Sequence, residues 1–141
     1  MRNKLCLGLV FLLAMMLTGC TPDKEAMEKQ GMKKQAIEKQ IKKQVDEVVA
    51  ALDSGKKAED FKGLSIKGIE DLFIVDPDGT LLVHPEFVGQ NLKTWRATYD
   101  AIVQATTEGL WVEYEHHRLP KRSYVKKTKG GLIVASGYFK S

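Results

Sequence analysis

The chain has 141 residues, 22 of them basic and 18 acidic, for a formal charge of +4, and 43% of it is apolar. That near balance gives no electrostatic footprint for nucleic acid, and two cysteines cannot supply a disulfide-built scaffold. The length suits one small domain that must be stabilised by packing.

The first twenty residues read as a targeting segment. Arg2 and Lys4 precede an apolar run from Leu5 to Leu17, short for a membrane span and closed by Leu17-Thr18-Gly19-Cys20. This pattern resembles a bacterial lipoprotein signal peptide. The resemblance implies cleavage before Cys20, a diacylglycerol on its thiol and a fatty acyl group such as palmitate on the new amino terminus. Several acyl chains on one residue anchor a protein stably where one chain binds marginally. Residues 1–19 are therefore expected to be the signal peptide, 20–31 the lipidated cysteine with its tether, and 32–141 a single domain. The expected location is the cell envelope, membrane-anchored and facing the periplasm or exterior. Removal of Arg2 and Lys4 leaves 20 basic residues against 18 acidic ones, a charge of +2. The alternative is an ordinary signal peptide or uncleaved anchor in which Cys20 is incidental.

From Asp23 to about Leu52 the composition turns to Lys, Glu, Gln and Met. Ile37, Ile41, Val45, Val48 and Leu52 recur every three or four residues, which predicts an amphipathic helix over 33–52. The stripe fades before Gly31, hence the tether over 21–31. The lysines Lys33, Lys34, Lys39, Lys42 and Lys43 form a solvated face that also suits anionic headgroups. Asp53-Ser54-Gly55 breaks the helix. Asp71–Val75 and Thr80–His84 are apolar runs of strand length, and Asp76-Pro77-Asp78-Gly79 between them predicts a hairpin turn. This turn is not an EF-hand loop, because Leu81 and Phe87 occupy the sixth and twelfth positions.

After a loop over 85–92, Thr94 is expected to cap a helix bearing Trp95, Tyr99, Ile102, Val103 and Thr106, which Gly109 ends. Three strands follow, Leu110–His116, Arg122–Lys127 and Leu132–Phe139, with turns at Leu119-Pro120-Lys121 and Lys129-Gly130-Gly131. Long helix, two strands, helix and three strands make an α+β fold with a five-stranded antiparallel sheet.

The segments Asp71–Pro85, Val88-Gly-Gln-Asn-Leu92, Gly109 with Val112-Glu-Tyr114, Ser123-Tyr-Val-Lys126 and Ser136-Gly-Tyr-Phe139 together resemble a single Cache domain, the PAS-like extracytoplasmic sensor module of chemoreceptors and sensor kinases. The resemblance spans residues 69–139. It implies strand order 2-1-5-4-3, an N-terminal helix along the back of the sheet, small-molecule binding and pairing of two copies through that helix. The interval from Leu92 to Gly109 is short for the family, which reduces the loops that roof the pocket. Receptors of this type continue into a membrane helix and output module, whereas this chain stops at Ser141, so signalling is expected to pass through an envelope partner.

Strand alternation groups Val112, Tyr114 and His116 on one face and Trp111, Glu113 and Glu115 on the other. Arg122, Tyr124 and Lys126 share a face of the next strand, and Trp95 with Tyr99 share a side of their helix. Aromatic walls with convergent polar groups describe a small-molecule cleft. For a carboxylate or amino-acid ligand, Arg96, Arg122 or Lys126 would pair with the anion. Tyr114, Tyr124, His84 or His116 would supply hydrogen bonds. Each also suits a structural role in a core or on a solvated face. His116 and His117, adjacent in a regular strand, would point to opposite faces and could not share a metal ion. No arrangement for nucleophilic catalysis, haem attachment or phosphate cradling is present, so neither an enzyme nor a cofactor is expected. Two readings follow: a lipid-anchored Cache domain that binds a small organic ligand and signals through a partner, or an envelope interaction protein that keeps the fold without a pocket.

Overall fold

A computed structural model describes residues 24–65, 69 and 72–140. The signal segment and Cys20 lie outside the described residues, as does Asp71 of the first expected strand.

Helix α1 covers Lys24–Asp53, a length of about 45 Å. It begins well before the expected 33, and residues 24–36 are exposed along their whole length. From Ile37 onward the stripe packs: Ile41 and Val45 are fully buried, with Val48 and Val49 close behind. A short 3₁₀ turn over Ala58–Phe61 leads to β1 (Phe73–Val75) and β2 (Leu81–Val83). A second 3₁₀ turn, Leu92–Thr94, precedes α2 (Arg96–Ile102). Then come β3 (Leu110–His116), β4 (Leu119–Lys127) and β5 (Ile133–Phe139). The strands form one antiparallel sheet in the order β2-β1-β5-β4-β3, so the expected architecture holds.

The β1–β2 turn forms as expected and is locked by Asp76. Its Oδ1 accepts from the backbone N–H of Asp78 and of Thr80, both at 2.9 Å. Gly79 supplies the positive φ of 92° that closes it. A bulge between Ile74 and Val75 lets Val83 face the helix with Ile74 while Leu81 faces away with Val75.

Two further expectations change. The loop between β3 and β4 is His117-Arg118, with φ of 51° and 63°, so Leu119-Pro120-Lys121 belongs to β4. This is a two-residue hairpin loop with both central residues left-handed, the backbone twist such loops require. The second helix is also shorter than expected: Thr94 ends a 3₁₀ turn rather than capping α2, and the helix stops at Ile102. Beyond it Thr106 bridges to Lys126 on β4, and its carbonyl accepts from the N–H of Lys127 at 2.8 Å. Pairing with the sheet therefore overrides further helix.

The sheet separates two apolar layers. On one side α1 packs Ile41, Val45 and Val48 against Leu72, Ile74, Val134 and Tyr124. On the other, Leu92, Ala101 and Ile102 cover Phe73, Val75, Val112, Val125 and Ile133.

Candidate functional site

The register of β3 with β4 decides which polar side chains face which layer. Trp111 lies opposite Tyr124 and Glu113 opposite Arg122, whereas Tyr114 lies opposite Lys121 and Val112 opposite Ser123. Arg122, Tyr124 and Lys126 therefore face α1 and do not share a wall with Tyr114. This corrects the expected grouping, and the cause is the tight loop: starting β4 at Leu119 brings Lys121 rather than Arg122 onto the face of Tyr114.

On the helix side these residues form a polar lattice. Arg122 donates from Nε to Glu38 and from Nη1 to Glu113, both at 2.9 Å, and its guanidinium lies 4.9 Å from the Trp111 ring. Tyr138 donates to Glu38 at 2.7 Å, and Lys140 to Glu113 at 2.9 Å. Burial and then the Glu38 carboxylate push the Tyr138 hydroxyl well above the ordinary phenol range. Asp46 accepts from Lys126 at 2.9 Å and from Lys42 at 2.6 Å. Burial alone would raise its carboxyl, but these two ammonium groups outweigh burial and hold it below its usual value. The lattice ties α1 to β4 and β5, and only a smaller pocket of about 230 Å³ adjoins its Asp46–Lys126 end.

At one end of the sheet a cleft of about 710 Å³, within the size range of small-molecule sites, extends from the other face round to Ile37 and Tyr138 on the helix side. All three histidines of the chain line it, together with Glu86, Lys121 and the aromatic rings of Phe73, Phe87, Tyr138 and Phe139. Lys121 is 5% exposed and is the sole charged side chain among the described residues that is buried. Its ammonium lies 5.0 Å from the centre of the Phe139 ring.

His84 sits where β2 ends. Its Nδ1 accepts from the backbone N–H of Glu86 at 3.0 Å and of Phe87 at 3.1 Å, which places the proton of the neutral ring on Nε2. His116 lies 3.2 Å from the Thr98 hydroxyl of α2, and the Tyr114 and Ser123 hydroxyls pair at 3.0 Å. Because the strand ends at His116, His117 turns back toward it, with ring centroids 4.2 Å apart, so both line one cleft. The strand argument that separated them does not apply there. No group of three or more His, Cys, Asp or Glu among the described residues is placed to hold a metal ion.

Behind the cleft lies an inner chamber that shares Phe73, His84, Phe87, His116 and Lys121 with it and adds Trp95, Thr98 and Tyr114. Its volume is about 20 Å³, space for roughly one water. A row of rings fills the rest: Phe73 to His84 at 6.1 Å, His84 to Phe87 at 4.9 Å and Phe87 to Trp95 at 5.1 Å.

Of the residues expected to bind ligand, the structure brings together His84, Trp95, Tyr114 and His116. Tyr99 packs in the same layer but beside Gly79 and Lys93. Arg96 points to solvent and pairs with Asp100 at 3.0 Å. Lys121, Thr98 and His117 were not among the expected residues. The signal for Lys121 is the short hairpin: with His116 paired to Leu119, two-residue alternation carries it to the face of Tyr114.

The fold recurs in the crystal structure of a methyl-accepting chemotaxis protein from Vibrio parahaemolyticus RIMD 2210633. The TM-score is 0.53 at 16% sequence identity, over 82% of this chain and 96% of that one. The ligand-binding domain of the Pseudomonas aeruginosa PAO1 amino acid chemoreceptor PctB, solved with L-Arg, aligns with 56% of this chain and 35% of its own. Identity there is 23% and the TM-score 0.41. No protein-family model matches the chain, and no curated protein sequence does.

Proposed function

We propose that this chain is a lipid-anchored, extracytoplasmic Cache domain that binds a small organic anion, a carboxylate or amino acid, and passes its bound state to an envelope partner. The observation that carries the reading is the cleft: a buried lysine, three histidines and aromatic walls converge where the sheet opens. A carboxylate there meets the Lys121 ammonium and the His84 Nε2 proton while its carbon skeleton lies against Phe73 and Phe139. The shared fold with a chemotaxis protein supports a sensory role, and the sequence through Cys20 supports the anchor. Among the described residues no helix is long and apolar enough to cross a membrane.

Native mass spectrometry of protein purified gently from its own host, with a thermal-shift screen of short carboxylates and amino acids, tests the reading. A ligand at a hundred times its Kd should stabilise the folded state by about 2.7 kcal/mol, and Lys121→Met should abolish that gain. No adduct and no stabilising compound would overturn it.

The size of the inner chamber favours a second reading, an interaction protein whose interior is filled by its own side chains. Under that reading a partner is captured from membranes without added ligand, and Lys121→Met leaves capture intact.

A further inference from the structure

Residues 24–36 of α1 run about 20 Å past the last turn that packs on the sheet. Thirteen residues are marginal as an isolated helix in water, and this stretch exposes Met27 by 63% and Met32 by 58%. It carries four lysines, Lys24, Lys29, Lys33 and Lys34, against Glu25 and Glu28. Where it leaves the sheet, it and the end of β5 enclose a groove of about 450 Å³. Met27, Ile37 and Phe139 give the groove an apolar floor, and Lys33, Lys34 and Lys140 stand around it. Lys140 also pairs with Glu113 at 2.9 Å, whereas Lys33 and Lys34 form no ion pair among the described residues.

We infer that this groove and the projecting helix form a docking face for the anionic phospholipid surface of the membrane that carries the anchor. The inference rests on the proposed anchor at Cys20. The occupant follows from reach and charge. From Cys20 to Lys24 the fully extended chain spans at most about 14 Å, so the start of α1 is held within that distance of the anchored residue, and α1 laid along the surface keeps Lys33 and Lys34 at headgroup level. There, phosphates meet Lys33 and Lys34 while glycerol and upper acyl carbons meet Met27 and Phe139, the division of labour of an interfacial helix. Each lysine near an anionic surface strengthens binding roughly fivefold, screened within a Debye length.

The test reconstitutes the full lipidated chain on vesicles of phosphatidylcholine alone or with 30% phosphatidylglycerol (roughly the anionic share needed for a strong surface field). Flotation and amide hydrogen exchange over 24–36 are then read. The expected result is flotation with both vesicles, and exchange at least tenfold slower on the anionic ones. Added salt should reverse the slowing, and Lys33→Gln with Lys34→Gln should remove it at unchanged melting temperature. Flotation with both and equal exchange overturns the docking face and leaves the anchor standing. Salt-sensitive flotation with anionic vesicles alone keeps the face and overturns the anchor; flotation with neither overturns both. Protection that appears in neutral detergent and grows with protein concentration assigns the face to a second copy and overturns the inference.

Discussion

Gly137 lies within β5 opposite Ser123 of β4. A Cβ built there falls 2.2 Å from the Ser123 Oγ, 2.4 Å from the Arg122 carbonyl oxygen and 2.8 Å from the Ser123 Cα. The hydroxyl can rotate; the backbone atoms can retreat only if β4 and β5 separate. Gly137→Ala is therefore an overpacking substitution with no soft neighbour, a class that costs about 1–3 kcal/mol. Displacing Ser123 also breaks its 3.0 Å hydrogen bond with Tyr114, worth about 1 kcal/mol more. The expected loss is about 2–4 kcal/mol, or roughly 8–15 °C in melting temperature for a domain of this size. Circular dichroism melts of wild type and variant measure it, with Gly130→Ala as control, whose nearest neighbour is the Thr128 Oγ1 at an ordinary 3.9 Å. A Gly137→Ala protein that melts with the wild type would refute the Ser123–Gly137 register between β4 and β5.

Arg122→Met should lower stability by about 1–2 kcal/mol in urea titration, between the values for surface and buried pairs, since the Arg122 side chain is 25% exposed and its loss leaves Glu38 without its cation. Stability should also fall in acid through Asp46. Its folded-state carboxyl is lowered from 3.8, so its contribution is complete above that value and is lost as the pH drops through the lower, folded one. Asp46→Asn should remove that part of the acid dependence, read as the slope of melting temperature against pH below 4. Gly31→Ala, with nothing within 4 Å of the new methyl group and an exposed mid-helix site, should raise helicity and stabilise α1 by up to about 1 kcal/mol. An unchanged far-ultraviolet spectrum would count against a continuous α1.

The elements that depend on local pattern were legible. The spacing of Ile37, Ile41, Val45 and Val48 located the packed part of α1, and Asp76 to Gly79 located its turn, because each follows from periodicity or from a side chain bonding its own backbone. The sheet order came from the ordered Cache-like segments and not from periodicity. What failed depended on pairing. Leu119-Pro120-Lys121 has turn-like composition, yet the chain turns two residues earlier on His117 and Arg118, with no glycine, asparagine or aspartate there to signal a left-handed turn. That shift displaced the cation of the cleft from Arg122 to Lys121 and put three expected ligand residues behind the sheet. The N-terminal turns of α1 were missed for a different reason: with no apolar partner, Lys24–Ala36 has no stripe to detect.

The two clefts of this fold also sharpen what ligand entry requires. A molecule in the outer cleft touches His116, His117 and Phe139 without disturbing the packed rings, whereas one entering the inner chamber must displace Phe87 or Trp95, since the chamber has room for only about one water. The second route costs affinity in proportion to how rarely the chamber opens. Trp95 separates the two routes: it lines the inner chamber alone, and the chain's other tryptophan, Trp111, lies on the opposite face beneath Arg122. In a Trp111→Phe protein, a ligand that raises the melting temperature and shifts the Trp95 emission has opened the chamber. One that raises the melting temperature with Trp95 unmoved is held in the outer cleft by Lys121 and the histidines.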